Sequence, residues 1–240
     1  YSKNKHKRHF RNYEDLTAKE YSAIKKILSP KIGDRNHNTS INTLEWLGIH
    51  NIEIIESLYK NQRILIEGPP GSGKTTLAKA FIDKQYDKKG IYLCWNNLLM
   101  HFTKSLLDER KLLNNVEVTT FFRFFQMLNP KIDFDILSRF SEDEFYDLVK
   151  ETILRLEQES KLIPYDFIVI DEAQDLFDKG LDLFINSFSG YNGKGLINGN
   201  SLVLYDIDQS YSNSGRNVSE LADLISEYYS HFKLNEVKRS

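Results

Sequence analysis

One octapeptide constrains this chain more than any other feature: Gly68-Pro69-Pro70-Gly71-Ser72-Gly73-Lys74-Thr75. It matches the full pattern of a Gly, four residues, then Gly-Lys-Thr, the phosphate-binding P-loop. Its setting is also right. Arg63-Ile64-Leu65-Ile66-Glu67 before it is a short apolar run that predicts a buried strand, and residues 74–86 after it read as a helix. The glycines let backbone N–H groups close around phosphate oxygens, and the following helix N-terminus adds partial positive charge. Gly68, Pro69, Pro70, Gly71, Ser72, Gly73, Lys74, Thr75 and Thr76 form the candidate nucleotide cradle. Lys74 is placed to reach β- and γ-phosphates, and the Thr75 hydroxyl to hold Mg²⁺.

The rest of the chain obeys the same alternation. Strands are predicted at Ile91–Cys94, Val116–Val118, Phe167–Ile170, Ser201–Tyr205 and His231–Leu234. Helices are predicted over 14–28, 44–60, 97–108, 120–128, 133–160 and 218–230. Strands alternating with helices predict an α/β fold: a mostly parallel sheet with helices on both faces, a helical insert at about 129–163, and ligands at the strand carboxyl ends. Two strand ends carry acids. Phe167-Ile168-Val169-Ile170 runs into Asp171-Glu172, and Ser201-Leu202-Val203-Leu204-Tyr205 runs into Asp206. Beside a P-loop, Asp171 is the candidate to hold Mg²⁺ and Glu172 to activate the attacking water.

Composition excludes little but usefully. With 40% hydrophobic and 28% charged residues among 240, the chain is neither disordered nor membrane-spanning by composition. One cysteine allows no internal disulfide, so a reducing, cytoplasmic setting is the expectation. The net charge of −2 hides a basic stretch, with nine Lys/Arg against three Asp/Glu in residues 1–31. Residues 133–160 reverse this, with nine Asp/Glu against three Lys/Arg. The first reads as a solvated linker or a phosphate-meeting arm, the second as the solvated face of a helical insert or a partner site. Residues 1–43 are thus set apart as a basic arm and linker helix from an upstream region, and 44–240 as the nucleotide-binding domain. The scattered histidines and the lone Cys94 offer no metal-ligand spacing, and Cys94 reads as buried and structural.

The motifs together resemble the first, RecA-like motor domain of the UvrD/Rep-like superfamily 1 DNA helicases. Val169-Ile170-Asp171-Glu172-Ala173-Gln174-Asp175 resembles that family's motif II, and Leu93-Cys94-Trp95-Asn96-Asn97-Leu98-Leu99 its motif Ia. Val118-Thr119-Thr120-Phe121-Phe122 is similar to motif Ib, Leu204-Tyr205-Asp206-Ile207-Asp208-Gln209-Ser210 to motif III, and Leu234 to Ser240 to the start of motif IV. The wording is closest to bacterial members fused behind a nuclease-related (NERD-type) domain.

The resemblance implies an ATP hydrolase of the DNA helicase type, using ATP and Mg²⁺ and contacting single-stranded DNA. It implies Gln209 and Arg239 as γ-phosphate contacts, and Trp95, Asn96, Asn97, Thr120 and Phe121 as the nucleic-acid surface. It also implies a second motor domain and an upstream nuclease-like domain as partners, with no membrane. The chain stops at motif IV, so the resemblance implies weak turnover without a second motor domain and its arginine finger. Departures are visible: Phe122 stands for the usual His of motif Ib, His50 or Asn51 for the adenine-reading Gln, and Tyr205 or Tyr211 for a stacking aromatic. The residues themselves leave alternatives open. Asn96 and Asn97 suit a helix cap, and the phenylalanines 121, 122, 124 and 125 suit a core. A P-loop ATPase that switches a protein partner without unwinding is the second reading, and a DNA-binding module using the basic arm the third.

Overall fold

The computed structural model describes residues 60–85, 87–108, 114–137, 139–190, 194–206, 208, 222–223 and 225–234. The expectations for the arm and helices within 1–59, and for Gln209, Tyr211 and Arg239, lie outside the described residues.

The elements follow the sequence order: β1 (Arg63–Glu67), α1 (Lys74–Lys84), β2 (Gly90–Cys94), α2 (Asn97–Asp108), β3 (Val116–Thr120), α3 (Phe121–Leu128), α4 (Phe134–Leu137) and α5 (Glu142–Gln158). Then come β4 (Phe167–Ile170), two 3₁₀ turns at Ala173–Asp175 and Phe177–Lys179, α6 (Leu181–Phe188), α7 (Gly195–Asn198), β5 (Ser201–Tyr205) and β6 (Ser230–Lys233). The sheet has six strands in the order β3-β2-β4-β5-β1-β6. Every pairing is parallel.

Register then aligns the strand ends. Glu67 pairs with Tyr205 and with Lys233, Ile170 with Val203 and with Leu93, and Cys94 with Thr120. Consequently the residues that follow each strand, Gly68, Trp95, Phe121, Asp171 and Asp206, emerge along one edge. β5 lies between β1 and β4, so the loop after β5 separates the P-loop from Asp171.

Strand side chains alternate between faces every second residue, and the two faces have separate cores. Ile64, Ile66, Tyr92, Cys94, Phe167, Val169, Leu202 and Leu204 meet Leu77, Ala78, Phe81 and Ile82 of α1 and Met100 and Leu107 of α2. Leu65, Ile91, Leu93, Ile168, Ile170 and Val203 meet the aromatic layer of α3, α5 and α6. In that layer Phe121, Phe125, Phe145 and Phe184 pack ring to ring at 5.1–6.2 Å. Gly90 is required where β2 passes β4, because a Cβ there would enter the Phe167 ring.

The expectation of continuous helix over 133–160 is corrected. α4 ends at Leu137, and α5 begins anew behind Ser141. Ser141 forms a capping box with Glu144: its hydroxyl accepts from Glu144 N, and the Glu144 carboxylate accepts from Ser141 N. α6 was not foreseen. Within the glycine-rich stretch 190–200, the described residues 194–200 include a helix that composition did not suggest. α7 interrupts it, and Gly195 and Gly199 press so closely on Ile185 and Ser189 that neither position has room for a Cβ.

Candidate functional site

β1 delivers Glu67 to the sheet edge, where a small polar network fixes it. Tyr205 Oη donates to Glu67 Oε2 at 3.0 Å, and Lys233 Nζ lies 2.9 Å from the same oxygen. Burial works to raise the Glu67 pKa, but the bonds from Lys233 and Tyr205 outweigh it and hold the group below its ordinary value. The chain then turns into the loop, with Gly68 N donating to Tyr205 O at 3.0 Å. Gly71 and Gly73 sit at φ 77° and 97°, the left-handed region that glycine tolerates. Gly73 is the N-cap of α1 and supplies no side-chain cap, so the first turn keeps N–H donors for an anion.

Lys74 is 7% exposed and folds back over the loop. Its ammonium donates to Gly68 O at 2.6 Å and lies 3.3 Å from Pro69 O. Two observations are in keeping with a phosphate at this loop. A Cβ at Gly68 would come within 2.7 Å of Ser72 Oγ, so the loop closes too tightly for a side chain. Ser72 Oγ and Asp206 Oδ2, both buried, have no partner among the described residues. Thr75 and Thr76 are half-buried at the start of α1.

Across β5, Asp171 is 1% exposed. Tyr92 Oη donates to its Oδ2 at 2.5 Å, and Glu172 N donates to its Oδ1 at 3.0 Å. Burial pushes the Asp171 carboxyl up to about 6, opposed by the Tyr92 bond and the Lys74 charge and aided by Glu172. Glu172 itself adopts φ 58° and ψ 45°, a left-handed conformation that costs a non-glycine residue about 1–2 kcal/mol. The carboxylate of Glu172 accepts from Gln174 Nε2 at 2.6 Å. Gln174 Oε1 in turn accepts from Asp206 N at 3.1 Å. A single amide therefore ties the acid after β4 to the backbone after β5.

The residues expected to face nucleic acid divide. Phe121 is 0% exposed in the aromatic core and offers no stacking face, and Thr120 is spent as the α3 cap, accepting from Arg123 N at 3.3 Å. Asn96 caps α2, its Oδ1 accepting from Leu99 N at 2.8 Å, yet it remains exposed, as does Asn97. Trp95 is half-buried, edge-on to Phe122 at 5.1 Å. Lys179 Nζ lies 5.4 Å from the Trp95 ring centroid. Lys179 is also paired with Asp178 at 3.0 Å. Tyr205, a candidate stacking aromatic, is buried and bonded to Glu67 and His231. Phe122 is half-buried, while Phe124 and Phe125 are core, as their residue type suggested. Cys94 is buried, and burial beside the Asp171 charge pushes its thiol up to about 12.

Sequence reasoning missed Tyr92 and the bridging role of Gln174. Tyr92 sits in an apolar strand and looks like any core aromatic, so nothing local marks its hydroxyl. Gln174 was visible only as part of a motif, and its two partners are two and 32 residues away.

Among the described residues no helix is long and apolar enough to cross a membrane. No curated protein matches the chain. A family model described as an AAA domain matches residues 58–197, a span that holds the P-loop, Asp171 and Glu172. That match covers more than half of the chain, so this protein belongs to the AAA-domain family of P-loop ATPases.

Proposed function

We propose that this chain is the ATP-binding motor domain of an ATP-dependent DNA helicase or translocase, hydrolysing ATP with Mg²⁺ and contacting single-stranded DNA in the cytoplasm. The observation that carries the reading is the hydrogen-bonded line from Glu172 through Gln174 to Asp206 N. It joins the residue suited to activate water to the segment that resembles motif III, as a motor coupling hydrolysis to movement requires.

In this reading the loop 68–76 grips the triphosphate, and Lys74 leaves its backbone acceptors to meet the β- and γ-phosphates. Thr75 and Asp171 would hold Mg²⁺, which would supply positive charge to the phosphate oxygens. Glu172 takes the proton of the attacking water, and Gln174 keeps its carboxylate from swinging away. Gln209 and Arg239 complete the γ-phosphate contacts by resemblance. The strand of DNA runs over Trp95, Asn96 and Asn97, where an aromatic beside amides supports stacking and backbone contact. A second motor domain supplies the arginine that the transition state needs, and a nuclease-like domain precedes the arm.

A second reading has its own support. α5 exposes Asp143, Glu144, Asp147, Glu151 and Glu157, a face that repels DNA and suits a basic protein partner. With Thr120 and Phe121 buried, this favours an ATPase that switches a partner without moving along a strand. ATP hydrolysis by the full-length protein, with and without single-stranded DNA, separates the two. Strong DNA stimulation that Lys74→Ala and Glu172→Gln both abolish is the result expected of a motor. Turnover that needs Lys74 but ignores DNA overturns the motor reading in favour of the switch.

A further inference from the structure

We infer that Tyr92 is a positioning residue for the metal-holding carboxylate, a role that rests on Asp171 as the Mg²⁺ ligand and adds a residue outside every motif. Tyr92 lies on β2 opposite Val169 of β4, two residues short of Asp171. Its ring fills the apolar layer under α1 and α2. Any residue of that shape would fill the layer, so packing accounts for the ring and not for the hydroxyl.

Among the described residues the hydroxyl has one hydrogen-bond acceptor, Asp171 Oδ2 at 2.5 Å. The other carboxylate oxygen accepts from Glu172 N at 3.0 Å. Each oxygen is therefore held by one donor, one from the middle of β2 and one from the turn after β4. The carboxylate cannot rotate about its Cβ–Cγ bond without breaking both, and its remaining lone pairs have a fixed direction. A hydrogen-bonded ligand of fixed direction binds a metal before any reorganisation, and such outer partners are typically worth about 10–100-fold in metal affinity. The second donor, a backbone N–H, is available to any sequence. Tyr92 is the part of this device that a side chain supplies.

The test is the affinity of the full-length protein for a fluorescent ATP analogue, measured in excess EDTA and again in Mg²⁺, the ratio being the metal gain. Tyr92→Phe is expected to leave the EDTA affinity unchanged and to cut the metal gain about tenfold. Asp171→Asn is expected to remove the gain, and Tyr92→Phe added to Asp171→Asn to change nothing further. A purely structural Tyr92 would lower the melting temperature and leave the gain intact, which would overturn the proposal. An intact gain in Asp171→Asn would overturn it together with the reading of Asp171 beneath it. Should Tyr92→Phe not fold, 4-fluorophenylalanine at position 92 fills the hydroxyl's volume without donating. Its loss of the gain, restored by 4-aminophenylalanine, supports the inference, and its retention of the gain overturns it.

Discussion

Asp171 pays for its position. Burial lifts its pKa from 3.8 to about 6, while Tyr92 and Lys74 pull the other way. The sign of the stability effect follows. Below about pH 4 the carboxyl is protonated folded or unfolded, and it does not tax the fold. As pH rises from about 4 to 6, the unfolded chain loses this proton while the folded one still holds it, so stability falls, and above about 6 the loss is complete. Without metal, the protein is therefore expected to lose melting temperature between about pH 4 and 6. Asp171→Asn removes that loss, raising the melting temperature at pH 7.5 in EDTA on the order of 5–10 °C and leaving it unchanged at pH 3. Calorimetry across that range decides it, and an equal difference at both pH values would refute the assignment.

At the scale of elements, the segment after β4 is built for placement rather than stability. Glu172 takes a left-handed turn, and two 3₁₀ turns follow where a longer helix would be cheaper. The strain turns the Glu172 carboxylate onto Gln174, whose other end holds the β5 exit. Gln174→Ala is expected to lower kcat about tenfold while KM stays within about twofold, because under the proposed function it frees the group assigned to the chemical step and leaves the phosphate loop intact. Steady-state kinetics check it, and a rise in KM at constant kcat would instead put Gln174 in nucleotide binding. The same elements show what the amino-acid pattern revealed. β1, β4 and β5 were legible because short apolar runs ending in Gly or acid have few alternatives. α6 was not, since Leu181, Phe184, Ile185 and Phe188 follow an acidic motif and have no N-terminal cap side chain to announce them.

For the molecule as a whole, nucleotide binding and folding share one edge. The P-loop leans on Tyr205 and Leu234 from β5 and β6, and Asp171 leans on Tyr92 from β2. A ligand that bridges these strands stabilises the entire sheet. At about 100 times its Kd, Mg-ATP is expected to add about 2.7 kcal/mol of stability, a rise on the order of 5–10 °C in melting temperature. Lys74→Ala is expected to abolish the rise without altering the apo melting temperature by more than about 2 °C, since among the described residues the Lys74 ammonium hydrogen-bonds loop carbonyls alone. A thermal shift series reads both, and a full rise in Lys74→Ala would refute the role given to that ammonium.

The P-loop, the acids after β4 and β5, and the parallel α/β class could all be read from residue order, because each depends on neighbours within a few positions. A glycine needs its φ locally, and an acid ends a strand locally. The grouping of those pieces could not be read this way. Residue order does not say that β4 lies between β2 and β5, and that placement is what sets Gln174 against Asp206 and Tyr92 against Asp171, 32 and 79 residues apart. Nor does it say that Phe121 turns inward while Asn97 stays in water. Strand order and burial are settled by packing two apolar faces at once, a condition on the whole chain that no local pattern encodes.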